Sequence, residues 1–280
     1  MKTLCSLILA LALLCAPFAL ADTPTQSWVP FKPSSVLTDD FDSDGALETM
    51  RFEASLNEYD DGSFSFSVGS KSFTVEDCIG LIPEVNAMRV GYSDSYYGTL
   101  FMISEYGPSD DPLTYCYLYA YEDLQDLGRI PALAGSITPD GNGVFTTTIR
   151  ASMVGTWERP ADYALAFGID SGEDWSIHYR LVEVPRAMYP MNMMVTLKRD
   201  LTLSSSIYED RADVDLKAGT PVIFAASDDV SRLYITELDG GRAGWASIRL
   251  STGEYWAELI RVNGKYVELD EVFDGIFYAD

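Results

Sequence analysis

The segment of residues 39–48 holds the densest set of side chains that could bind a metal ion. Counted from its second residue, carboxylates occupy positions one, three, five and nine, and a glycine occupies position six: Asp40, Asp42, Asp44, Glu48 and Gly45. A loop around a hard cation needs such a set, because alternate residues point inward, glycine permits a sharp turn and a late carboxylate completes the shell. The spacing therefore predicts a calcium site formed by the four carboxylates, and an ordinary solvated acidic turn is the alternative.

The residues after this loop argue against an EF-hand. An EF-hand requires a bidentate glutamate at position twelve of its loop and a helix after the loop. Position twelve is Arg51, and residues 49–56 alternate between apolar and polar types. Alternation is the period of a half-buried strand. We therefore expect the loop to run directly into a β-strand.

The composition limits the classes of partner. The chain of 280 residues contains 43 acidic residues against 19 lysines and arginines. Nucleic acids and anionic membranes are bound by basic surfaces, so both are poor partners for this protein. The acidity is compatible with cation binding and with solubility outside the cell.

The N-terminus has the pattern of a secretory signal peptide. Lys2 precedes a short apolar run that contains Pro17, and an Ala-Leu-Ala cleavage site follows at residues 19–21. We expect cleavage after this site, an extended lead-in over residues 22–38, and a secreted or cell-surface location. Beyond the signal peptide, which occupies residues 1–21, no apolar stretch is long enough to predict a transmembrane segment.

Two cysteines, Cys78 and Cys116, follow the signal peptide. A pair of cysteines in an exported protein can form a disulfide. Both lie in apolar, strand-like surroundings, so two buried thiols are an equally good interpretation. The single histidine, His178, cannot complete a zinc site with them.

The remaining pattern predicts an all-β, antiparallel fold, with a first domain over residues 39–186. Its most regular strand carries alternate tyrosines, at Tyr115, Tyr117, Tyr119 and Tyr121. These tyrosines are expected to pack within a sheet, and an exposed stacking surface for sugars or peptides is the alternative. Residues 81–89 are expected to form a short helix or a loop.

A small barrel is expected over residues 191–252, after a proline-marked boundary. Short apolar runs separated by tight turns are typical of such a domain. Tyr208 and Tyr234 are the candidate ligand-binding aromatics near its groove, whereas Trp245 is expected in its core. The last segment, residues 253–280, is expected to pack on one of the domains.

These motifs together resemble a group of secreted clostridial-type proteins that pair an FG-GAP-like, propeller-related β domain with a C-terminal bacterial Src-homology-3 barrel. The chain shares with them the acidic loop at 40–45, the turn-rich segment at 105–111 and Val-Phe-Asp-Gly at 272–275. The barrel pattern is carried by Gly219, Val222, Gly241, Gly244 and Trp245. The resemblance implies a β domain with an aspartate-rich calcium loop, a Src-homology-3-like barrel, and binding in the envelope or outside the cell. It implies no enzymatic activity.

The leading hypothesis is an exported, non-catalytic binding protein that is stabilised by calcium and recognises a cell-wall or peptide ligand through the barrel. The sequence has no Gly-x-Ser-x-Gly, His-Glu-x-x-His or Cys–His arrangement, so no catalytic residue is assigned. The alternative is a secreted carbohydrate-active hydrolase that uses a carboxylate pair. A third interpretation is a structural subunit whose tail docks a partner. No feature of the sequence specifies an oligomeric state.

Overall fold

The computed structural model describes residues 29–31, 36–92, 95–108, 111–140, 144–170, 176–208, 212–251 and 257–278. The predicted signal peptide at residues 1–21 and most of the predicted lead-in lie outside these ranges. The described chain is all-β and its strands pair antiparallel, as the sequence predicted. Among the described residues, no helix has the length and apolarity needed to cross a bilayer.

Three sheets form the first part of the chain, and apart from the first strand of the chain, which joins sheet two, each consists of consecutive strands. Sheet one contains β2 (Val36–Asp39), β3 (Glu48–Leu56), β4 (Gly62–Val68) and β5 (Lys71–Cys78). Sheet two contains β1 (Val29–Phe31), β6 (Leu81–Tyr92), β7 (Ser95–Glu105), β8 (Leu113–Ala120) and β9 (Asp123–Ile130). Sheet three follows a short 3₁₀ helix (Ala134–Ser136) and contains β10 (Thr138–Pro139), β11 (Val144–Arg150), β12 (Glu158–Asp170) and β13 (Ser176–Val184).

Sheet four comprises the rest of the described chain. Its strands are β14 (Tyr189–Leu197), β15 (Leu201–Ser204), β16 (Ala212–Leu216), β17 (Pro221–Ser227), β18 (Arg232–Glu237), β19 (Ala243–Leu250), β20 (Glu258–Val262), β21 (Lys265–Glu268) and β22 (Phe273–Asp274). A one-turn helix, α1 (Leu269–Val272), lies between the last two strands. The main strand order is β16-β15-β19-β18-β17-β14-β22, and the β20–β21 hairpin adds to β19. These pairings between described strands do not close into a barrel.

The prediction of a short helix or loop at residues 81–89 is wrong, because these residues belong to β6. This strand pairs with β7 through contacts such as Val85 with Ile103, and with β1 on its other side. Pro83 falls within the register shift of the β6–β7 pair, where a missing backbone donor is tolerated. Pairing on both edges outweighs the weak strand preference of the local sequence.

Sheet two is packed on both faces. One face carries three buried tyrosines, Tyr115, Tyr117 and Tyr119, and it packs against sheet one. The ring of Tyr117 stacks on Phe73 with 4.9 Å between centroids. The predicted packing of the tyrosines within a sheet is therefore confirmed for these three, whereas Tyr121 is exposed in the β8–β9 turn.

The two cysteines lie in different cores. Cys78 packs between sheets one and two, whereas Cys116 points to the opposite face of β8 and packs between sheets two and three. Both are free thiols, which decides between the two interpretations of the sequence. Burial raises the pKa of Cys78 to about 11 and the pKa of Cys116 further, so both thiols are protonated at neutral pH.

The loop between β11 and β12 packs into sheet four. Met153 and Val154 are fully buried members of the core of sheet four. The N–H of Gly155 donates to the carboxylate of Glu258 at 2.8 Å and 3.1 Å. Gly155 has a φ of 73°, and a Cβ there would lie 2.6 Å from the carbonyl oxygen of Phe277. The C-terminal segment therefore belongs to sheet four and also contacts a loop of the preceding sheet.

A buried ionic cluster joins sheet three to sheet four. Arg159 on β12 donates from Nε to Oδ2 of Asp229, in the β17–β18 turn, at 2.7 Å. Its Nη1 donates to Glu183 at 2.6 Å. The other oxygen of Asp229 accepts the N–H groups of Ser152 and Met153 at 2.8 Å and 2.9 Å. Each buried charge in this cluster thus has a partner.

Candidate functional site

The acidic loop connects β2 to β3 and wraps around the carboxylate of Asp40. Its Oδ1 accepts the N–H of Asp44 and its Oδ2 accepts the N–H of Gly45, both at 3.1 Å. Gly45 has a φ of 92° and Ser43 a φ of 61°, so the chain turns through left-handed conformations twice. This local turn agrees with the sequence pattern, because glycine and short polar residues adopt such conformations at least cost.

Phe41 anchors the loop to sheet two. Its ring is buried and meets Phe101 edge-on, with 5.3 Å between centroids. Its carbonyl oxygen accepts the hydroxyl of Thr99 at 2.7 Å, and its N–H donates to Oε2 of Glu48 at 3.0 Å. Because Phe41 is fixed in the core, it also fixes the position of the neighbouring loop residues Asp40 and Asp42.

Three of the four predicted ligands converge. One carboxylate oxygen from each of Asp40, Asp42 and Glu48 lies within 4.8 Å of the other two. Asp44 is not in this cluster, because its Oδ1 accepts the N–H of Ala46 at 2.7 Å in an exposed position. We call the three converging residues the acidic triad.

Within the triad, a bound cation would stabilise the carboxylate of Asp42 most. The residue is 7% exposed. Its Oδ2 accepts the N–H of Glu122 from the β8–β9 turn at 2.7 Å. Its Oδ1 is buried and has no hydrogen-bond partner among the described residues. An unsatisfied buried acceptor costs about 1–3 kcal/mol, and more when it is charged, so a cation at this oxygen would remove a real penalty.

The electrostatics of the triad also favour a cation. Burial raises the pKa of Glu48, the Phe41 N–H lowers it, and the charges of the nearby aspartates raise it again. Burial also raises the pKa of the adjacent Tyr119 to about 12, with a contribution from the carboxylates of Glu48 and Asp42. Negative charge is thus concentrated beside a buried phenol, and a bound cation would neutralise it.

The residues that position the triad carried no signal in the sequence. Thr99 and Glu122 lie 58 and 80 residues from the loop residues that they contact. Glu122 takes part through its backbone N–H, which no residue type specifies. Tyr121 and Glu122 both have positive φ, which turns this N–H toward the loop.

A second feature lies on the outer face of sheet four. The rings of Tyr234 and Trp245 are half-buried and lie 4.7 Å apart at 43°. The prediction that Trp245 is a core residue is wrong, because strand alternation points its neighbours Gly244 and Ala246 inward and Trp245 outward.

A groove of about 260 Å³ adjoins this aromatic pair. Its lining includes hydroxyl, amide and guanidinium groups around the indole: Thr202, Ser204, Trp245, Ser247, Arg261 and Asn263. Neither of the two tyrosines predicted to bind ligand is among the described residues that line it. Tyr208 is 92% exposed, and Tyr234 pairs with Trp245 on the neighbouring strand.

No protein-family model, curated protein sequence or solved structure matches this chain. The resemblance to FG-GAP-like and Src-homology-3 proteins therefore stays a prediction. The acidic triad and the groove beside Trp245 are two features of the described residues that could bind an ion or a ligand.

Proposed function

We propose that this chain is an exported, non-catalytic binding protein that holds a structural calcium ion in its acidic loop and recognises a cell-envelope or peptide ligand through sheet four. The observation that carries the proposal is the unpartnered, buried Oδ1 of Asp42 beside two further carboxylates. The N-terminal signal pattern supports a secreted or cell-surface location.

The chemistry of the triad favours calcium over other metals. Asp40, Asp42 and Glu48 offer only carboxylate oxygens, which suit hard cations and not zinc or copper. Calcium accepts irregular shells of carboxylates, carbonyls and water, whereas magnesium demands a near-octahedral set. Extracellular calcium modules bind the ion with dissociation constants of about 10⁻⁴–10⁻³ M, and this range is sufficient for an exported protein.

The proposed role of the ion is to stabilise the contact between sheets one and two. The carboxylate of Asp42 already receives an N–H from Glu122 across this contact. Phe41 and Thr99 make a second link. A cation shared by the triad would neutralise the charges at the position where the loop meets sheet two.

The strand order supports a propeller-related first domain. Sheets one to three each contain four consecutive antiparallel strands in chain order, which is the arrangement of a propeller blade. For residues 191–252 we propose a Src-homology-3-like arrangement that is open, because its described strands do not close into a barrel. The short strands β16 to β19 and the four- and five-residue connections between them support it.

The position of the acids supports binding over hydrolysis. A glycoside hydrolase holds two carboxyl groups about 5–9.5 Å apart on either side of a substrate bond. The triad instead converges within one loop, and the aromatic pair of Tyr234 and Trp245 lies by a groove that no described acidic residue lines. These features suit ion binding and ligand recognition at separate places.

Thermal melting of the chain from residue 22 tests the calcium site. With millimolar calcium against a chelator, we expect a higher melting temperature, since ligand at one to ten times its dissociation constant adds about 0.4–1.4 kcal/mol to the free energy of unfolding. Asp42→Asn should abolish the response, because the amide replaces the unpartnered oxygen yet keeps an acceptor for Glu122. Asp44→Asn is the matched control in the same loop and should respond like the wild type.

An equal response of Asp42→Asn and the wild type would show that calcium acts elsewhere. A wild type that melts at the same temperature in chelator and in calcium would remove the structural ion from the proposal.

A further inference from the structure

We propose that the groove beside Trp245 binds a pyranose ring that carries a carboxylate. The inference rests on the proposed binding function and specifies the site and the ligand class. It differs from the sequence prediction, which assigned ligand binding to Tyr208 and Tyr234.

The aromatic surface of the groove suits a sugar ring. Trp245 lines the groove, and the ring of Tyr234 packs against it at 4.7 Å, which limits its side-chain motion. The C–H face of a pyranose ring is apolar and packs on the electron-rich face of an aromatic ring. A half-buried indole held in this way is suited to stack a sugar without a large loss of conformational entropy on binding.

The polar lining and the size of the groove also suit a sugar. The hydroxyl of Thr202 donates to Oδ1 of Asp215 at 2.8 Å and that of Ser204 donates to the carbonyl of Ser206 at 2.9 Å, so each offers a ligand an acceptor. Asn263 adds an amide that both donates and accepts hydrogen bonds. Sugar hydroxyls need such mixed partners. The groove of about 260 Å³ is smaller than the range of drug-sized pockets, about 300–1,000 Å³, and therefore fits a single ring.

The charge of the groove favours an anionic sugar. The chain has 43 acidic residues, yet none of the described residues that line the groove is acidic. Arg261 lines it, and Arg232 donates to the hydroxyl of Ser247 at 2.8 Å. A planar guanidinium matches a carboxylate in bidentate geometry, so the arginine side of the groove favours an anionic group on the ring.

The C-terminal segment completes the groove. Arg261 is on β20, and Asn263 and Gly264 form the turn to β21, with positive φ at both. An Asn-Gly pair favours such a two-residue hairpin turn. The hairpin thus places the guanidinium of Arg261 and the amide of Asn263 at the edge of β19, beside Trp245.

Calorimetric titration of the chain from residue 22 with glucuronic acid, N-acetylmuramic acid and glucose tests the inference. Both acidic sugars are expected to bind about tenfold or more tightly than glucose, because a hydrogen bond to a charged group adds about 1.5–3 kcal/mol. Arg261→Gln should reduce this preference to about twofold or less, and Arg261→Lys should restore part of it. Tyr208→Ala is the control and should leave all three affinities unchanged.

Three outcomes would overturn the inference: no binding of either acidic sugar, equal affinity for glucuronic acid and glucose, or an unchanged preference in Arg261→Gln. Trp245→Leu should weaken both classes of sugar, and its melting temperature shows whether it is folded. Sedimentation with cell-wall sacculi separates the two proposals. If the wild type and Arg261→Gln sediment equally, the protein binds the envelope through another site, so the groove inference fails and the proposed binding function is retained. If the wild type stays in the supernatant, envelope binding itself fails.

Discussion

Replacement of Asp229 by alanine tests how sheets three and four are joined. The Asp229 side chain is 4% exposed and pairs with Arg159, whose side chain is 9% exposed. Its other oxygen accepts two backbone N–H groups from the β11–β12 loop. The substitution would therefore remove a buried charge, leave Arg159 with one anionic partner, Glu183, and deprive two N–H groups of their acceptor.

The expected cost follows from these contacts. Breaking a buried pair by removing one partner costs about 3–5 kcal/mol. Each buried donor left without an acceptor adds about 1–3 kcal/mol, but water entering the vacated space can satisfy part of this demand. We therefore expect the free energy of unfolding to fall by about 3–5 kcal/mol. Asp229→Asn should cost less, because its amide oxygen can still accept both N–H groups.

Urea unfolding at a fixed calcium concentration, followed by circular dichroism and tryptophan fluorescence, measures this loss. Lys71→Ala is the matched control, because it breaks an exposed ion pair with Asp123. The side chain of Lys71 is 53% exposed and that of Asp123 is 44% exposed. Such a pair contributes about 0–1 kcal/mol. If Asp229→Ala costs no more than Lys71→Ala, the buried cluster does not hold the two sheets together and the reasoning is refuted.

Two further predictions concern buried titratable groups. In denaturant without reductant, the chain from residue 22 is expected to show two titratable thiols, Cys78 and Cys116, and a thiol assay that detects none would contradict the separated cores. Burial raises the pKa of Glu258 above its usual 4.5, so protonation favours the folded state and this contribution is lost as the pH rises through the raised pKa. The free energy of unfolding of Glu258→Gln in urea should therefore rise relative to that of the wild type as the pH increases above 4.5, and a difference that does not change with pH would contradict this.

Features encoded within a few residues could be predicted. Apolar alternation after the acidic loop predicted β3, and glycine at the sixth loop position predicted the turn that Gly45 makes with positive φ. Alternate tyrosines predicted a packed strand, which is β8. Such features depend on side-chain period and turn conformation, and both are local properties of the chain.

Features that depend on distant partners could not be predicted. Asp42 is held by the N–H of a residue 80 positions away, and the burial that leaves its other oxygen without a partner arises only in the folded chain. The strand at residues 81–92 exists because both edges find partners.

The cysteines and the groove also combine a feature encoded by the local sequence with contacts that arise only in the folded chain. Strand alternation could place Cys78 and Cys116 in apolar surroundings, but the sheet that separates them is formed by residues from across the domain. The local sequence encoded the Asn-Gly hairpin, whereas its docking on β19 beside Trp245 arises from packing. Periodicity specifies which side chains share a face of one strand. Which strand covers that face depends on the burial of apolar surface over the whole chain.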